Sequence, residues 1–531
     1  MQSPTRLPDA RSGETSRSGT SSRFLPIFTL AAPFVLGWGL LFVLGCGGPP
    51  LPPPTPKKPL AEVTLTIACD DAAFRRDLAN RVLGWSSKSG ATVRVFPSSE
   101  AKSPDILIRT PAELGALAAT GELASIPAEL RATGNALQWV RILPAYSTLL
   151  TQWKKDIVGL PLAGDGFVLV YRADRFAEDA TRTRFRAKLG HDLAPPTTWD
   201  ELAELAGFFT EIDQKPSLAP LPTDPTRLLT QFHQIAVCSD RKSYTESDLT
   251  QGGGATGSRA VNADTMSFHF DLRTGKPRIA GPAFVLAAEW LAKTRPYRAT
   301  AGTDDPIAAM ANGSAIAAVV SLADLSRLPR DESTNAVSKR FGVSRLPGSR
   351  TLFDANGKPV TAAGSPNYIP FLGTTTRIAG VVKSCPQPGA AWDLLAELAS
   401  VTGSLAVMGD PALGAGPFRS EQREEARGAV WLAYCFDEEG TRQLVQAMQG
   451  FFPPEVGNPA VVLRTPNQGA LMVSLEKQVR RVALGEAPAN VALRQAADEW
   501  QAAAAAAANP TVFIAWLQAS VGLQESLVPA N

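Results

Sequence analysis

Residues 63–121 read VTLTIACDDAAFRRDLANRVLGWSSKSGATVRVFPSSEAKSPDILIRTPAELGALAATG, and their periodicity decides the fold class. Val63 to Ile67 alternates as a strand does. Asp70 or Asp71 can then cap a helix whose apolar positions Phe74, Leu78, Val82 and Trp85 recur at helical spacing. Ala91 to Phe96 reads as a second strand and Asp105 to Ile108 as a short buried third. Pro111 to Gly121 reads as a helix that ends on glycine. Strands and helices alternating within about 60 residues predict an α/β fold with a parallel sheet and crossover helices.

The pattern continues outward. Val168 to Tyr171 is another strand, preceded by Gly159-Leu-Pro161. Thr198 is a good N-cap, and Glu201 three residues on completes a capping box for a helix through Leu202, Leu205 and Phe209. Further helices are expected at 281–294, 304–312, 388–408, 467–484, 488–508 and 510–521. QGGGATGSR at 251–259 reads as a surface hairpin, because a phosphate loop would need a following Lys-Ser/Thr. The tryptophans at 85, 139, 199, 290, 392, 431, 500 and 516 mostly lie at helical spacing and read as core.

Upstream, residues 24–46, FLPIFTLAAPFVLGWGLLFVLGC, form an uncharged apolar run behind Arg6, Arg11, Arg17 and Arg23. Val43-Leu-Gly-Cys46 resembles the lipobox of a bacterial lipoprotein signal, which implies a signal peptide over 1–45 and acylation of Cys46. The same run is long enough to remain as a membrane anchor, and either reading exports the rest. Residues 46–61 are expected to be a Pro-rich tether. Within it, 47–60 would extend roughly 40 Å at about 3.1 Å per residue.

The 531-residue chain carries 52 basic and 50 acidic side chains, a net charge of +2, so no nucleic-acid partner is expected. Cys69, Cys238, Cys385 and Cys435 are scattered, with room for one bridge in an oxidising compartment. His191, His233 and His269 are isolated in sequence, so no metal site and no cofactor are expected. No G-x-S-x-G elbow, P-loop, HExxH or zinc spacing occurs, and no enzyme is expected.

Four segments, in order, resemble the extracellular solute-binding proteins of ABC transporters, family 1, which are maltose-binding-protein-like. They begin with Pro104-Asp105-Ile-Leu-Ile108 running to Gly121-Glu-Leu123. Next come Gly159 to Arg172, which resembles a first hinge crossing, and Pro196-Thr-Thr-Trp199-Asp-Glu-Leu202. Met310 to Ile316 with Phe341 to Pro347 forms the third. Phe371-Leu-Gly373, Ala390-Ala-Trp392 and Gly416-Pro-Phe-Arg419 form the last, resembling a second crossing. Ala483-Leu-Gly485 to Leu493 closes the match. The likeness spans nearly all of 63–500, with 239–280 and 420–460 fitting poorly.

The resemblance implies a two-lobe periplasmic-binding-protein-like (type II) fold with hinge crossings and a ligand cleft between lobes. The N-lobe would hold 62–163 and 374–450, and the C-lobe 164–373 and 451–531. It implies a substrate-binding lipoprotein of an ABC importer, a monomer in the cell envelope. Such a protein captures a small polar solute, a carbohydrate by the likeness, and delivers it to permease subunits. A membrane-anchored sensor using the same lobes, or a polyamine, anion or metal as cargo, remains open. The implied ligand-binding residues are Asp165, Asp70, Asp71, Arg109, Thr110, Asp224, Ser321, Thr374 and Thr375. Asp70 and Asp71 have helix capping as their alternative role, and Asp165 a structural turn. Thr226, Ser321-Leu322 and Met472 stand where the family has aromatics, and Phe167, Tyr368 or Phe418 could replace them.

Overall fold

Leu65 and Ile67 point into the core from β1 (Thr64–Cys69), as the alternation predicts. The computed structural model describes residues 58–243, 263–299, 305–354, 356–423, 425–452 and 456–522. The apolar run, Cys46, most of the tether and the 251–259 segment lie outside the described residues. The described residues form one compact unit.

After β1 come α1 (Ala72–Ser89), β2 (Thr92–Phe96), β3 (Ile106–Arg109) and α2 (Pro111–Thr120). Asp71 caps α1 by accepting the N–H groups of Ala73 and Phe74, both at 3.0 Å. The chain then builds β4 (Leu160–Ala163), β5 (Phe167–Arg172), α3 (Trp199–Asp213), α4 (Pro225–Asp240) and α5 (Pro282–Lys293). β6 (Ala317–Ser321), β7 (Phe341–Ser344), β8 (Arg377–Val381), α6 (Pro388–Leu398) and α7 (Glu438–Phe451) follow. The helices α8 (Gln468–Ala483), α9 (Ala489–Ala507) and α10 (Pro510–Ser520) close the described chain.

Two sheets organise these elements. The first runs β2-β1-β3-β8-β4. Its first three strands are parallel as predicted, and β8 enters antiparallel to both β3 and β4. The second runs β6-β5-β7, antiparallel throughout. The architecture is the two-lobe type II arrangement of mixed α/β layers. Helix α1 covers the first sheet with α6, joined by Trp85 Nε1 donating to Asp393 at 2.8 Å. Helix α7, grouped with the first lobe in the sequence reading, packs against β5 and β7. There Gln443 accepts the Val343 N–H at 3.1 Å.

The helix expected over 388–408 is broken in two. α6 stops at Leu398, and a second helix over Val401–Met408 leaves at 58°. Ser400 causes the break, because its hydroxyl accepts the Gly403 N–H at 3.2 Å and restarts the helix as an N-cap. Cys69, Cys238, Cys385 and Cys435 are free thiols, so no bridge forms among the described cysteines.

His233 and His269, isolated in sequence, meet in the core with their Nε2 atoms 3.2 Å apart. Burial drives the His233 pKa down to about 3, opposed by a bond to the Leu229 carbonyl, and drives His269 well below its usual value. Both rings are therefore neutral when folded, whereas in the unfolded chain they take protons below about pH 6.5. The stability they carry is present above that pH and is lost as pH falls toward 3. Each contributes up to about 1.4 kcal/mol per pH unit in that window. The melting temperature is expected to fall more steeply between pH 6.5 and 4.5 in the native chain than in a His233→Gln/His269→Gln variant. Equal slopes would contradict this.

Candidate functional site

The register of β5 against β6 builds a floor. Phe167 faces Ser321 and Leu169 faces Val319, so these side chains share one face of the second sheet. Above that face lies a cavity of about 420 Å³, within the ~300–1,000 Å³ common for small-molecule sites. Its walls come from α4, α5 and the segments joining them to the sheet. Asp224, Arg227, Thr230 and Gln231 recur at helical spacing and present one face of α4 to the cavity. Trp290 of α5, with Leu202 and Leu218, supplies apolar wall.

The mouth carries a charge network. Asp224 is the N-cap of α4, accepting the Arg227 N–H at 2.7 Å. Asp324 receives Arg227 at 2.9 Å and Arg327 at 2.8 Å, and Arg327 also reaches Asp305 at 3.0 Å. Burial pushes the Asp324 carboxyl up. The adjacent Arg227 charge and the Ser321 and Arg227 hydrogen bonds outweigh burial and hold it below the usual carboxylate range. Ser321 completes a capping box with Asp324, its hydroxyl donating at 2.8 Å. At the inner end, Gln231 is buried and lines the cavity.

Of the residues implied by the sequence, Asp224 and Ser321 line this cavity. Asp70 and Arg109 gather at the carboxyl ends of β1 and β3. Asp70 accepts the Ser98 N–H at 2.7 Å and hydroxyl at 2.6 Å and sits 3.5 Å from Arg109. Those Ser98 bonds, with lesser help from the Arg109 charge, keep the Asp70 carboxyl below its ordinary range. Thr110 forms a capping box with Glu113 at the start of α2. Asp71, besides capping α1, receives Arg377 at 2.7 Å.

Asp165, Thr374 and Thr375 meet one another. The Asp165 side chain is fully buried and accepts from the N–H groups of Gly373 at 2.7 Å, Thr375 at 2.8 Å and Thr376 at 3.3 Å. The hydroxyls of Thr376 at 2.6 Å, Thr375 at 3.1 Å, and Thr374 and Tyr146 both at 3.4 Å complete its shell. Tyr146, whose hydroxyl pKa is raised by burial and by the Asp165 charge, accepts the Asp165 N–H at 2.9 Å. This geometry ties the first crossing to the second and leaves the carboxylate no exposed face.

Among the aromatic substitutes, Phe167 lines the cavity, while Tyr368 and Phe418 are buried elsewhere. Trp290, Arg227, Gln231 and Arg298 line it too, though none is among the site residues that the sequence implied. Trp290 had the spacing of a core residue. Arg227 alone carried a signal, standing three residues beyond the implied site residue Asp224.

No curated protein sequence matches the chain. Solved structures do resemble it. The maltose-bound MalE3 of T. maritima shares 17% identity at a TM-score of 0.56, covering 83% of this chain and 99% of that one. The cyclic alpha-maltosyl-1,6-maltose binding protein of Arthrobacter globiformis shares 17% at 0.54, covering 83% and 98%. An ABC transporter solute-binding protein of Agrobacterium radiobacter K84, in complex with ribitol, shares 19% at 0.54, covering 84% and 100%. At such identities the likeness shows the two-lobe fold. The family model described as bacterial extracellular solute-binding protein matches residues 85–455, most of the chain, spanning the second sheet and every strand of the first except β1. The chain belongs to the bacterial extracellular solute-binding proteins, a family of binding proteins rather than enzymes.

Proposed function

We propose that this protein is the solute receptor of an ABC importer. It is tethered to the membrane through acylated Cys46 and the proline-rich segment, and it hands a small hydroxylated solute to permease subunits. The observation that carries the reading is the cavity of about 420 Å³ on the second sheet, with Asp224 and Ser321 at its mouth. The family membership gives that cavity a purpose, and the maltose and ribitol neighbours make sugars and polyols the first solutes to test. Thr226 and Ser321 are small where the family resemblance expects aromatics, which leaves the sheet face open and moves the solute deeper. Phe167 and Trp290 then supply apolar surface for the carbon face of the solute, while Gln231 and the mouth carboxylates meet hydroxyls.

Asp70, Arg109 and Thr110 are proposed as first-lobe contacts, since they stand at the carboxyl ends of strands where such folds receive ligand. Lobe closure needs no covalent chemistry: a solute that binds the closed form better shifts the population toward it. The test is melting of the full chain in detergent across a panel of sugars, polyols and their acids. A binder raises apparent stability by mass action, about 2.7 kcal/mol at a hundredfold excess over its Kd. A panel with no stabilising solute would contradict the reading.

A further inference from the structure

We infer that the solute carries a single carboxylate, received by Arg298 at the inner end of the cavity. This rests on the solute-binding reading above and names the chemical class of the solute.

The basis is an unmatched charge. Arg298 is 9% exposed and lines the cavity. Its side chain has no carboxylate partner among the described residues. A guanidinium has five N–H donors. Here Nη1 reaches the Ala219 carbonyl at 3.3 Å and Nη2 the Thr294 hydroxyl at 3.4 Å, both long, and Nε has no partner. Trp290 lies against it, ring centroid 5.7 Å from the guanidinium carbon, and holds its plane. Desolvation lowers the pKa to about 10, so the group stays charged at neutral pH.

The other buried arginines are provided for differently. Arg419 lies 3.4 Å from Glu421, and Arg241 lies 3.8 Å from Asp240. Arg464 donates to the carbonyls of Leu149, Gln152 and Ser520 at 2.8–2.9 Å and to Pro111 at 3.3 Å. A buried charge left with weak partners is costly, and a ligand that completes it recovers that cost as affinity. The mouth does not do so. Asp324 and Asp305 are already engaged by Arg227 and Arg327, and Asp224 caps α4 at the exposed rim.

A carboxylate fits better than a phosphate. The planar guanidinium fork donates to both carboxylate oxygens, and one unmatched positive charge balances one negative charge. A phosphate monoester brings about −1.5 to −2 and would leave a buried excess. The apolar floor and Gln231 suit a hydroxylated carbon chain, so the class is a sugar acid.

The experiment is titration calorimetry of the full chain in detergent with three probes: D-gluconate, its neutral relative D-glucitol, and glucitol 6-phosphate. Gluconate is expected to bind roughly 10- to 100-fold more tightly than glucitol. Arg298→Gln is expected to bring that preference near unity, and Arg298→Lys to keep part of it. Melting of each variant without solute checks that it folds; if the Gln variant does not, the probe comparison and the Lys variant decide. Glucitol binding as tightly as gluconate, or a preference unmoved by the variants, overturns the carboxylate assignment and leaves the solute-binding reading intact. Phosphate preferred over gluconate overturns the single-charge argument. Silence from acids and from the neutral panel together overturns both readings.

Discussion

Asp165→Asn is expected to lower the melting temperature of the solute-free protein by roughly 3–5 °C, corresponding to about 3–5 kcal/mol. Every group facing this buried carboxylate is a donor: three backbone N–H groups between Gly373 and Thr376, and the hydroxyls of three threonines and Tyr146. An amide of the same shape keeps one acceptor oxygen and turns an NH₂ toward N–H groups that it cannot satisfy. The hydroxyls can rotate away, but the backbone N–H groups are fixed by the crossing and stay unpaired in the core. Differential scanning calorimetry of the two proteins measures the effect. An unchanged melting temperature with weakened solute affinity would instead make Asp165 a ligand contact.

Gly416→Ala is expected to cost at least about 3 kcal/mol, enough to suppress accumulation of folded protein. Gly164 and Gly416 exchange both of their backbone hydrogen bonds at 3.0 Å, so two chain segments meet without side chains between them. A β-carbon at 416 would lie 1.6 Å from the Asp165 carbonyl oxygen and 2.3 Å from its carbon. Backbone on both sides cannot yield without breaking the pair, and the pair flanks the Asp165 lock. Gly389→Ala is the control: nothing lies within 4 Å of the added carbon, and the site is in the first turn of α6. Comparable soluble yield and melting temperature for the two variants would contradict the account.

Much of the fold could be read before any coordinates, because the elements concerned obey one strong period each. Phe74, Leu78, Val82 and Trp85 mark α1 and are all buried, and the Thr198–Glu201 capping box opens α3 as expected. The break at Ser400 was missed because the apolar spacing runs through it, and a single hydroxyl competing for Gly403 decided the matter. β8 was not foreseen as a central strand, since Arg377–Val381 gains its place only by pairing with β3 and β4 far away in sequence.

The site was legible in position more than in role. Asp224 and Ser321 do border the cavity, and the missing aromatics around them were visible as small residues. Asp165 was found, yet its partners lie around position 375, a separation that no local pattern encodes. Trp290 carries the spacing of a core residue, and Arg298 stands in no motif. Only their burial beside an open space separates them from ordinary packing.

The central claim is that solute sits in the cavity on the second sheet. Val319, half-buried on the floor beside Leu169, is clear of every capping and ionic contact at the mouth. Titration calorimetry of Val319→Trp with whichever panel solute stabilises the native chain most tests the claim directly. An indole in that space should remove binding by at least about 100-fold while the solute-free protein still melts cooperatively. Native affinity in a folded Val319→Trp protein would place the solute elsewhere and contradict the account.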